Sequence, residues 1–262
     1  MHKHFKAFLS IHGYAGNFSW LQVRQYIRAF KSGFLGGRCL VCGLVMVREN
    51  RSIAMCSRCS GRLKIRRTGF CPGCARVYVL DEEEPYLCLD CRGRPFPWSG
   101  LGFFGAYQEH LRDLILSFKF QGDLGLGKVL GNMLVQAADF HGLIRADLVV
   151  PVPMHESKLK QRGFNQSLEL ARIFCAGSGL KLQTRALKKI KPTAAQSTLK
   201  RKDRLKELRG AFSADPVQVK GCSVLLVDDI FTTGSTLDEC TRELRVAGAS
   251  RVEVLFLARG VM

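Results

Sequence analysis

A chain of 262 residues can hold one α/β domain of ordinary size with a small appendage, and its 47% apolar and 24% charged residues exclude wholesale disorder. Its 40 Lys and Arg stand against 22 Asp and Glu, a net charge of +18 that favours polyanions without naming one. No apolar run reaches the roughly 18 residues of a membrane span, and the first residues carry charge but no sustained apolar stretch. The chain is therefore expected in the cytoplasm.

Residues 1–38 are basic and aromatic, with a short helix expected from about Trp20 to Phe30. That helix reads best as packed on the rest of the protein. Its Arg24, Arg28 and Lys31 also leave open peripheral contact with the inner face of a membrane.

Residues 39–94 form a cysteine-rich module. Eight of the eleven cysteines make four Cys-x-x-Cys pairs: Cys39 and Cys42, Cys56 and Cys59, Cys71 and Cys74, Cys88 and Cys91. The second half repeats the spacing of the first, a pattern of metal ligands rather than of disulfides in an unexported chain. Two intervening residues let a tight turn aim both sulfurs at one ion, and two such turns complete a tetrahedral thiolate shell for zinc. Gly43, Ser57, Gly73 and Ala75 suit those turns. Two four-cysteine sites within the halves are the simplest pairing, and a crossed pairing stays open. A closed shell leaves no position for substrate, so the zinc is expected to be structural. Arg62, Lys64, Arg66 and Arg67, between the halves, are the residues to test for contact with DNA.

The proline-containing stretch Arg94 to Gly100 reads as a linker, and a new texture begins at Leu101. A strand is expected over 102–107 and helices over His110–Phe120 and Gly127–Phe140. A buried strand follows over 147–153, then a helix capped by Asn165 and running to about Ala176. A second buried strand covers Val224–Val227, with a helix from Ser235 to Ala247 and a last strand from Arg251 to Ala258. Apolar strands alternating with helices predict a parallel sheet covered on both faces over residues 101–262. Cys175, Cys222 and Cys240 fall in these elements and read as core.

The sharpest chemical signal is Val224-Leu225-Leu226-Val227-Asp228-Asp229-Ile230-Phe231-Thr232-Thr233-Gly234-Ser235-Thr236. A buried strand delivers two carboxylates at its carboxyl end, where ligands of parallel sheets bind. A Thr/Ser/Gly loop then opens a helix whose N-terminus is a ready anion site. The absence of a lysine after the glycine distinguishes it from a P-loop. Adjacent carboxylates can accept from the vicinal hydroxyls of a ribose.

The string resembles the 5-phosphoribosyl-1-diphosphate (PRPP) motif of type I phosphoribosyltransferases. The resemblance implies that Asp228 and Asp229 hold the ribose hydroxyls, as catalytic and binding residues. It also implies that Thr232, Thr233, Gly234, Ser235 and Thr236 receive the 5-phosphate, with magnesium accompanying PRPP. Val149 to His155 and Arg162-Gly163-Phe164-Asn165-Gln166 narrow the likeness to the competence protein F family, as do Ser117-Phe118-Lys119-Phe120, Gln196 to Leu199 and the cysteine-rich N-terminus. One departure is Glu207, where the family pattern has asparagine before Gly210-Ala211-Phe212.

By position the loop from Met154 to Arg162 is expected to bind pyrophosphate, with Arg162 as its ligand because a guanidinium fork matches phosphate oxygens. His155 is the weaker candidate, and Lys119 reads equally as a lysine at a helix end. The basic run from Arg185 to Arg209 falls where a loop closes over the active site in this fold. The resemblance implies magnesium-dependent phosphoribosyl transfer to an undefined acceptor, in a protein associated with DNA uptake during natural transformation. The alternative is a non-catalytic PRPP sensor or single-strand-binding protein, working with single-stranded DNA and other uptake proteins.

Overall fold

The computed structural model describes residues 37–46, 55–79, 84–93, 95–120, 125–192 and 207–260. The helix expected near Trp20 to Phe30, the Gln196–Leu199 string and the basic residues from Lys200 to Lys206 lie outside them.

Its elements, in chain order, are helix α1 (Ser57–Arg62), a 3-10 turn (Leu89–Cys91), strand β1 (Gly100–Ala106), α2 (Glu109–Phe120), α3 (Gly125–Phe140), β2 (Leu148–Pro151), α4 (Glu156–Arg162) and α5 (Gln166–Ser178). They continue with β3 (Leu187–Lys189), β4 (Phe212–Ala214), α6 (Pro216–Val219), β5 (Ser223–Phe231), α7 (Ser235–Val246) and β6 (Arg251–Arg259). Strands β1, β6, β5 and β2 form one parallel sheet in that order, and Leu182 adds a parallel bridge to Val149 at its edge. Strands β3 and β4 pair antiparallel as a separate ribbon.

Both faces of the central strands are buried, which is why they read as unbroken apolar runs. Leu225, Val227, Leu255 and Leu257 join a layer with Ile115 and Phe118 of α2, Leu130 and Leu134 of α3 and Phe174 of α5. Their neighbours Val224, Leu226, Val254 and Phe256 face the other layer, with Leu237, Cys240 and Leu244 of α7 and Phe212 of β4. Helix α5 begins where Asn165 Oδ1 accepts from the Ser167 N–H (3.0 Å) and stops at Gly179, whose φ of 77° suits glycine.

Three sequence expectations change. Strand β5 does not stop at Val227: it continues through both aspartates to Phe231, because β6 still offers partners, with Asp228 opposite Phe256 and Ile230 opposite Ala258. Residues 156–162, expected as loop, form α4, with His155 accepting from the Ser157 N–H at its start and Gly163 at φ 86° ending it. The 94–100 segment is not merely a spacer, since Trp98 is buried and its Nε1 donates to the Gly73 carbonyl (3.2 Å).

The cysteine-rich module packs into both apolar layers. Leu63 enters the first and Phe70 and Ala75 the second, and the Arg66 N–H donates to the Phe104 carbonyl (2.7 Å). No helix among the described residues is long and apolar enough to cross a membrane.

Helices α3 and α5 cross at Gly131, where an added Cβ would stand 2.3 Å from Ile173 Cγ2 and 2.8 Å from its Cβ. Rotating Ile173 cannot relieve the second contact. Gly131→Ala gains up to about 1 kcal/mol of helix propensity but overpacks the crossing at a cost of about 1–3 kcal/mol. A net loss of stability in urea unfolding is therefore expected, and a variant more stable than the parent would show that the helices separate freely.

Candidate functional site

The eight paired cysteines come together as two groups, Cys39-Cys42-Cys56-Cys59 and Cys71-Cys74-Cys88-Cys91, with the sulfurs of each within 4.8 Å of one another. This resolves the pairing within the halves. The halves repeat in backbone as well as in sequence. In each, the first cysteine donates its N–H five residues ahead (Cys39 to Leu44, 2.8 Å; Cys71 to Arg76, 2.9 Å) and accepts from the residue four ahead (Gly43, 2.8 Å; Ala75, 2.7 Å). Those two donor residues share positive φ, 73° at Gly43 and 55° at Ala75. Gly73 is required for space instead, because a Cβ there would lie 1.9 Å from the Phe96 ring.

The sulfur spacing fits zinc. Sulfurs about 2.3 Å from a tetrahedral zinc are about 3.8 Å apart, and Cys42–Cys56 and Cys74–Cys88 measure 3.7 and 3.8 Å. Backbone N–H groups also point at sulfur: Cys56 to Cys39 Sγ (3.3 Å) and Cys88 to Cys71 Sγ (3.4 Å). Burial alone would raise the Cys39 thiol, but the N–H groups of Cys56, Cys42 and Val41 bring it down to about 6. For Cys71 the hydrogen bond from Cys74 is the largest influence, lowering it to about 4. The first cysteine of each half is thus the more readily ionised, whereas Cys59, Cys74 and Cys91 are shifted the other way.

The second site lies at the carboxyl end of the sheet. Strand β2 follows β5 only to the pair Pro151–Val227, with one further bond from the Val152 N–H to the Val227 carbonyl (2.9 Å). Among the described residues no strand pairs with that side of β5 from Asp228 onward, which leaves the edge open as a candidate cleft. Asp228 is half-buried there. Its Oδ1 accepts from Ser167 Oγ at the start of α5 and from the Asp229 N–H, both at 2.9 Å. Asp229 is buried, and Lys119 Nζ at the end of α2 stands 2.7 Å from its Oδ2. That contact is a charge pair rather than an aligned hydrogen bond, for Oδ2 has no well-directed donor.

The two carboxylates therefore do not both face solvent. Burial, then the Asp229 charge, pushes the Asp228 carboxyl up to about 7, against the opposing pull of the Asp229 N–H, Ser167 and Lys119. Lys189 of β3 lies close by: burial lowers its pKa, repulsion from Lys158 of α4 lowers it further, and Glu207 and Asp228 oppose this. Lys119 and Lys189, from separate elements, thus act on the paired aspartates, Lys158 acts on Lys189, and Glu207 belongs to the same electrostatic setting.

Past Phe231 the chain turns through Thr232 and Thr233 into Gly234, at φ 79°, and enters α7 at Ser235. A Cβ on Gly234 would come 2.5 Å from the Phe231 ring, so this position needs glycine for both conformation and space. Thr233 Oγ1 lies 3.0 Å from Ser235 Oγ and accepts from the Ser235 N–H (3.5 Å) at the first turn of α7, in which Thr236 also lies. Arg162, the expected pyrophosphate ligand, ends α4 with its guanidinium 5.0 Å above the Phe120 ring.

A separate cavity of 440 Å³ lies between the cysteine-rich module and the start of α2, lined by residues 61–68, 104–106 and 108–111. The four basic residues expected to act together there divide their tasks. Arg66 donates to the carbonyls of Thr68, Gly69 and Tyr78 and holds the second cysteine turn, while Arg67 covers Phe140. Arg62 donates to His110 Nε2 (3.0 Å), and Lys64 is exposed.

Sequence reading missed the partners of Asp228 and Asp229. Ser167 was visible only as a residue after a helix cap. Lys119 lay in a string carried by family likeness, with no local sign of the aspartate it meets.

Comparison with known proteins finds relatives of the domain and of most of the chain. Residues 170–260 match the model of the phosphoribosyl transferase domain. Competence protein F of Haemophilus influenzae is 31% identical over 220 residues, which span 78% of this chain and 96% of the relative. DNA utilization protein YhgH of Salmonella typhimurium is 30% identical over 228 residues, 85% of this chain and 97% of that protein. Among solved structures, the allosteric regulatory enzyme of purine biosynthesis aligns at 28% identity and a TM-score of 0.34 over 50% of this chain, which spans only 25% of that one.

Two predictions follow from the geometry. Elemental analysis of metal-replete protein should give about two zinc per chain, one per four-thiolate shell; a value near one would leave a group without its ion. The raised Asp228 carboxyl also fixes a sign. A folded-state value of about 7 above an unfolded one of about 3.9 stabilises the fold at low pH. That contribution is lost as pH rises through this window. Asp228→Asn escapes the loss, so its stability relative to the parent should climb between about pH 5 and 7, by at most about 1.4 kcal/mol per pH unit, and level off above. A flat difference in thermal unfolding across that range would place the Asp228 titration elsewhere.

Proposed function

Because the chain belongs to the competence protein F family, we propose that its phosphoribosyltransferase-type domain binds PRPP with magnesium in the cleft beside β5 and transfers the phosphoribosyl group to an acceptor, in the service of DNA uptake. One observation supports this above the rest: β5 runs without a break from the paired Asp228 and Asp229 into the glycine loop that starts α7. Ribose recognition and phosphate recognition then lie on a single continuous segment.

In this reading the amides and hydroxyls from Thr232 to Thr236 receive the 5-phosphate at the positive end of α7. Asp228, the more accessible carboxylate, accepts from the ribose hydroxyls. Asp229 sits behind it, its charge balanced by Lys119. Lys158, Lys189 and Arg162 offer cations to the pyrophosphate. The bond from ribose C1 to pyrophosphate breaks with positive charge growing on the sugar and negative charge on the leaving group. Carboxylates on one side and lysines on the other match both charges. Magnesium suits these hard oxygen donors; it would be held by PRPP and Asp228 and would neutralise the diphosphate. The eight cysteines would hold two structural zinc ions.

A second reading, contact with a single-stranded nucleic-acid backbone, draws on the exposed Arg62 and Lys64 beside the 440 Å³ cavity and on the names of the relatives. The two readings use different surfaces and are compatible.

Calorimetry with PRPP and Mg²⁺ tests the first. Charge-assisted hydrogen bonds are worth about 1.5–3 kcal/mol each, so Asp228→Asn should weaken binding at least about tenfold. Thr233→Ala with Ser235→Ala should weaken it independently. Equal affinities in folded parent and Asp228→Asn proteins would remove ribose recognition from this cleft.

A further inference from the structure

One side chain joins the second cysteine group to the phosphate loop. Arg259, the last residue of β6, is 3% exposed. Its Nε donates to the Cys74 carbonyl (2.9 Å), and its Nη1 to the carbonyls of Phe231 (3.1 Å), Thr232 (2.5 Å) and Gly260 (2.8 Å). Cys74 belongs to the metal-ligand set, while Phe231 and Thr232 open the loop that enters α7. The guanidinium also covers the Phe231 ring, 4.8 Å from its centroid.

The surrounding contacts make this joint stiff. Trp98 donates to Gly73, inside the same cysteine turn, and its ring meets Phe231 edge-on at 5.7 Å. Phe231 in turn fills the space that a side chain on Gly234 would need. The turn, the indole, the phenyl ring and the loop are stacked in contact, with Arg259 bonded across the stack. The first cysteine group meets the domain elsewhere, through Leu63 next to α1.

Charge gives the arrangement a direction. None of the four acceptors of Arg259 carries a formal charge, yet a buried cation needs negative charge nearby. Four thiolates around a divalent ion carry a net charge of minus two. A phosphate seated in the loop would supply negative charge on the other side.

We propose that Arg259 is a positioning residue that couples the metal-bound state of the Cys71-Cys74-Cys88-Cys91 group to the order of the phosphate loop. With the group filled, the Cys74 carbonyl is fixed, and Arg259 holds the Phe231 and Thr232 carbonyls so that the loop amides point outward. With the group empty, that anchor is lost and the loop binds anions more weakly. The anion effect rests on the phosphate reading of the loop; the effect on loop order does not.

The test therefore measures loop order without ligand, by hydrogen exchange in the full chain of the bonded amides that close the loop at either end, Gly260 to the Phe231 carbonyl and Asp238 to the Gly234 carbonyl. Cys88→Ser, which disables the second group without touching Arg259, should speed exchange there about tenfold, the scale of one hydrogen bond to a charged group. Cys42→Ser, which disables the first group, should leave it near the parent value. In Arg259→Lys the ammonium cannot span both sides as the guanidinium fork does, so exchange is already fast and Cys88→Ser adds little. Independent, additive effects of Cys88→Ser and Arg259→Lys overturn the coupling, as do equal effects of Cys42→Ser and Cys88→Ser. Should Cys88→Ser fail to fold, Arg259→Lys with its zinc retained decides alone, and parent-like exchange overturns the proposal. PRPP with Mg²⁺ is then titrated into the same proteins. A parent that binds no PRPP while exchange follows the expected pattern sinks the ligand reading and leaves the coupling standing.

Discussion

Strand β5 is flanked on both sides only as far as Val227, and the candidate site depends on that limit. Up to this point β2 and β6 hold its backbone in parallel register, so every donor and acceptor is used and both faces are apolar. Beyond it β2 bends away at Pro151 to Pro153, and Pro153 has no N–H to continue the ladder. Strand β6 still supports the other edge through Phe231. The aspartates therefore stand on a backbone that is rigid on one side and open on the other. A site built on a loop would have the opening without the rigidity.

The same region concentrates buried charge, and each charge is answered differently. Lys119 and Asp229 neutralise each other across a long stretch of sequence, in a position where deleting one partner of a buried pair costs about 3–5 kcal/mol. Arg259 gives its hydrogen bonds to carbonyl dipoles, with the second cysteine group behind one of them and the Phe231 ring beneath. Asp228 is answered in part, by a hydroxyl and one amide, and its carboxyl rises accordingly. A partly answered charge at a cleft mouth is what ligand binding can improve, whereas a satisfied pair has little to gain. This grading separates the supporting aspartate from the one that meets the sugar in the proposed reading.

Much of the sheet and the glycine loop could be read from the sequence, because those signals are local. The run Val224–Val227 and its Thr/Ser/Gly continuation hold strand, carboxylates and helix start within thirteen consecutive residues. The cysteine repeat was equally plain, though spacing alone left the pairing undecided until the fold brought the sulfurs together. Lys119, Ser167 and Arg259 carried no such signal, since each acquires its role from a partner at least 61 positions away. Helix α4 was hidden for another reason. Its residues are mostly polar and face water, so no apolar periodicity marked it, and its start depends on a histidine acting as the cap. The end of β5 was misplaced because charged residues suggest a strand terminus, whereas a neighbouring strand decides where pairing stops.

The duplicated cysteine turns have the same backbone but different surroundings. In the second half Cys71, Cys88 and Cys91 are buried and Cys74 is partly covered, beneath Trp98 and Phe96; in the first, Cys42 is exposed and Cys56 partly so. Copying a metal turn copies its ligands, not its shelter. An ion in the outer copy can leave stepwise, with water taking the place of the exposed thiolate first. One in the inner copy can leave only if part of the domain core opens. Two chemically identical shells would thus exchange their metal on separate timescales, the outer with dissolved zinc and thiols, the inner at the pace of unfolding.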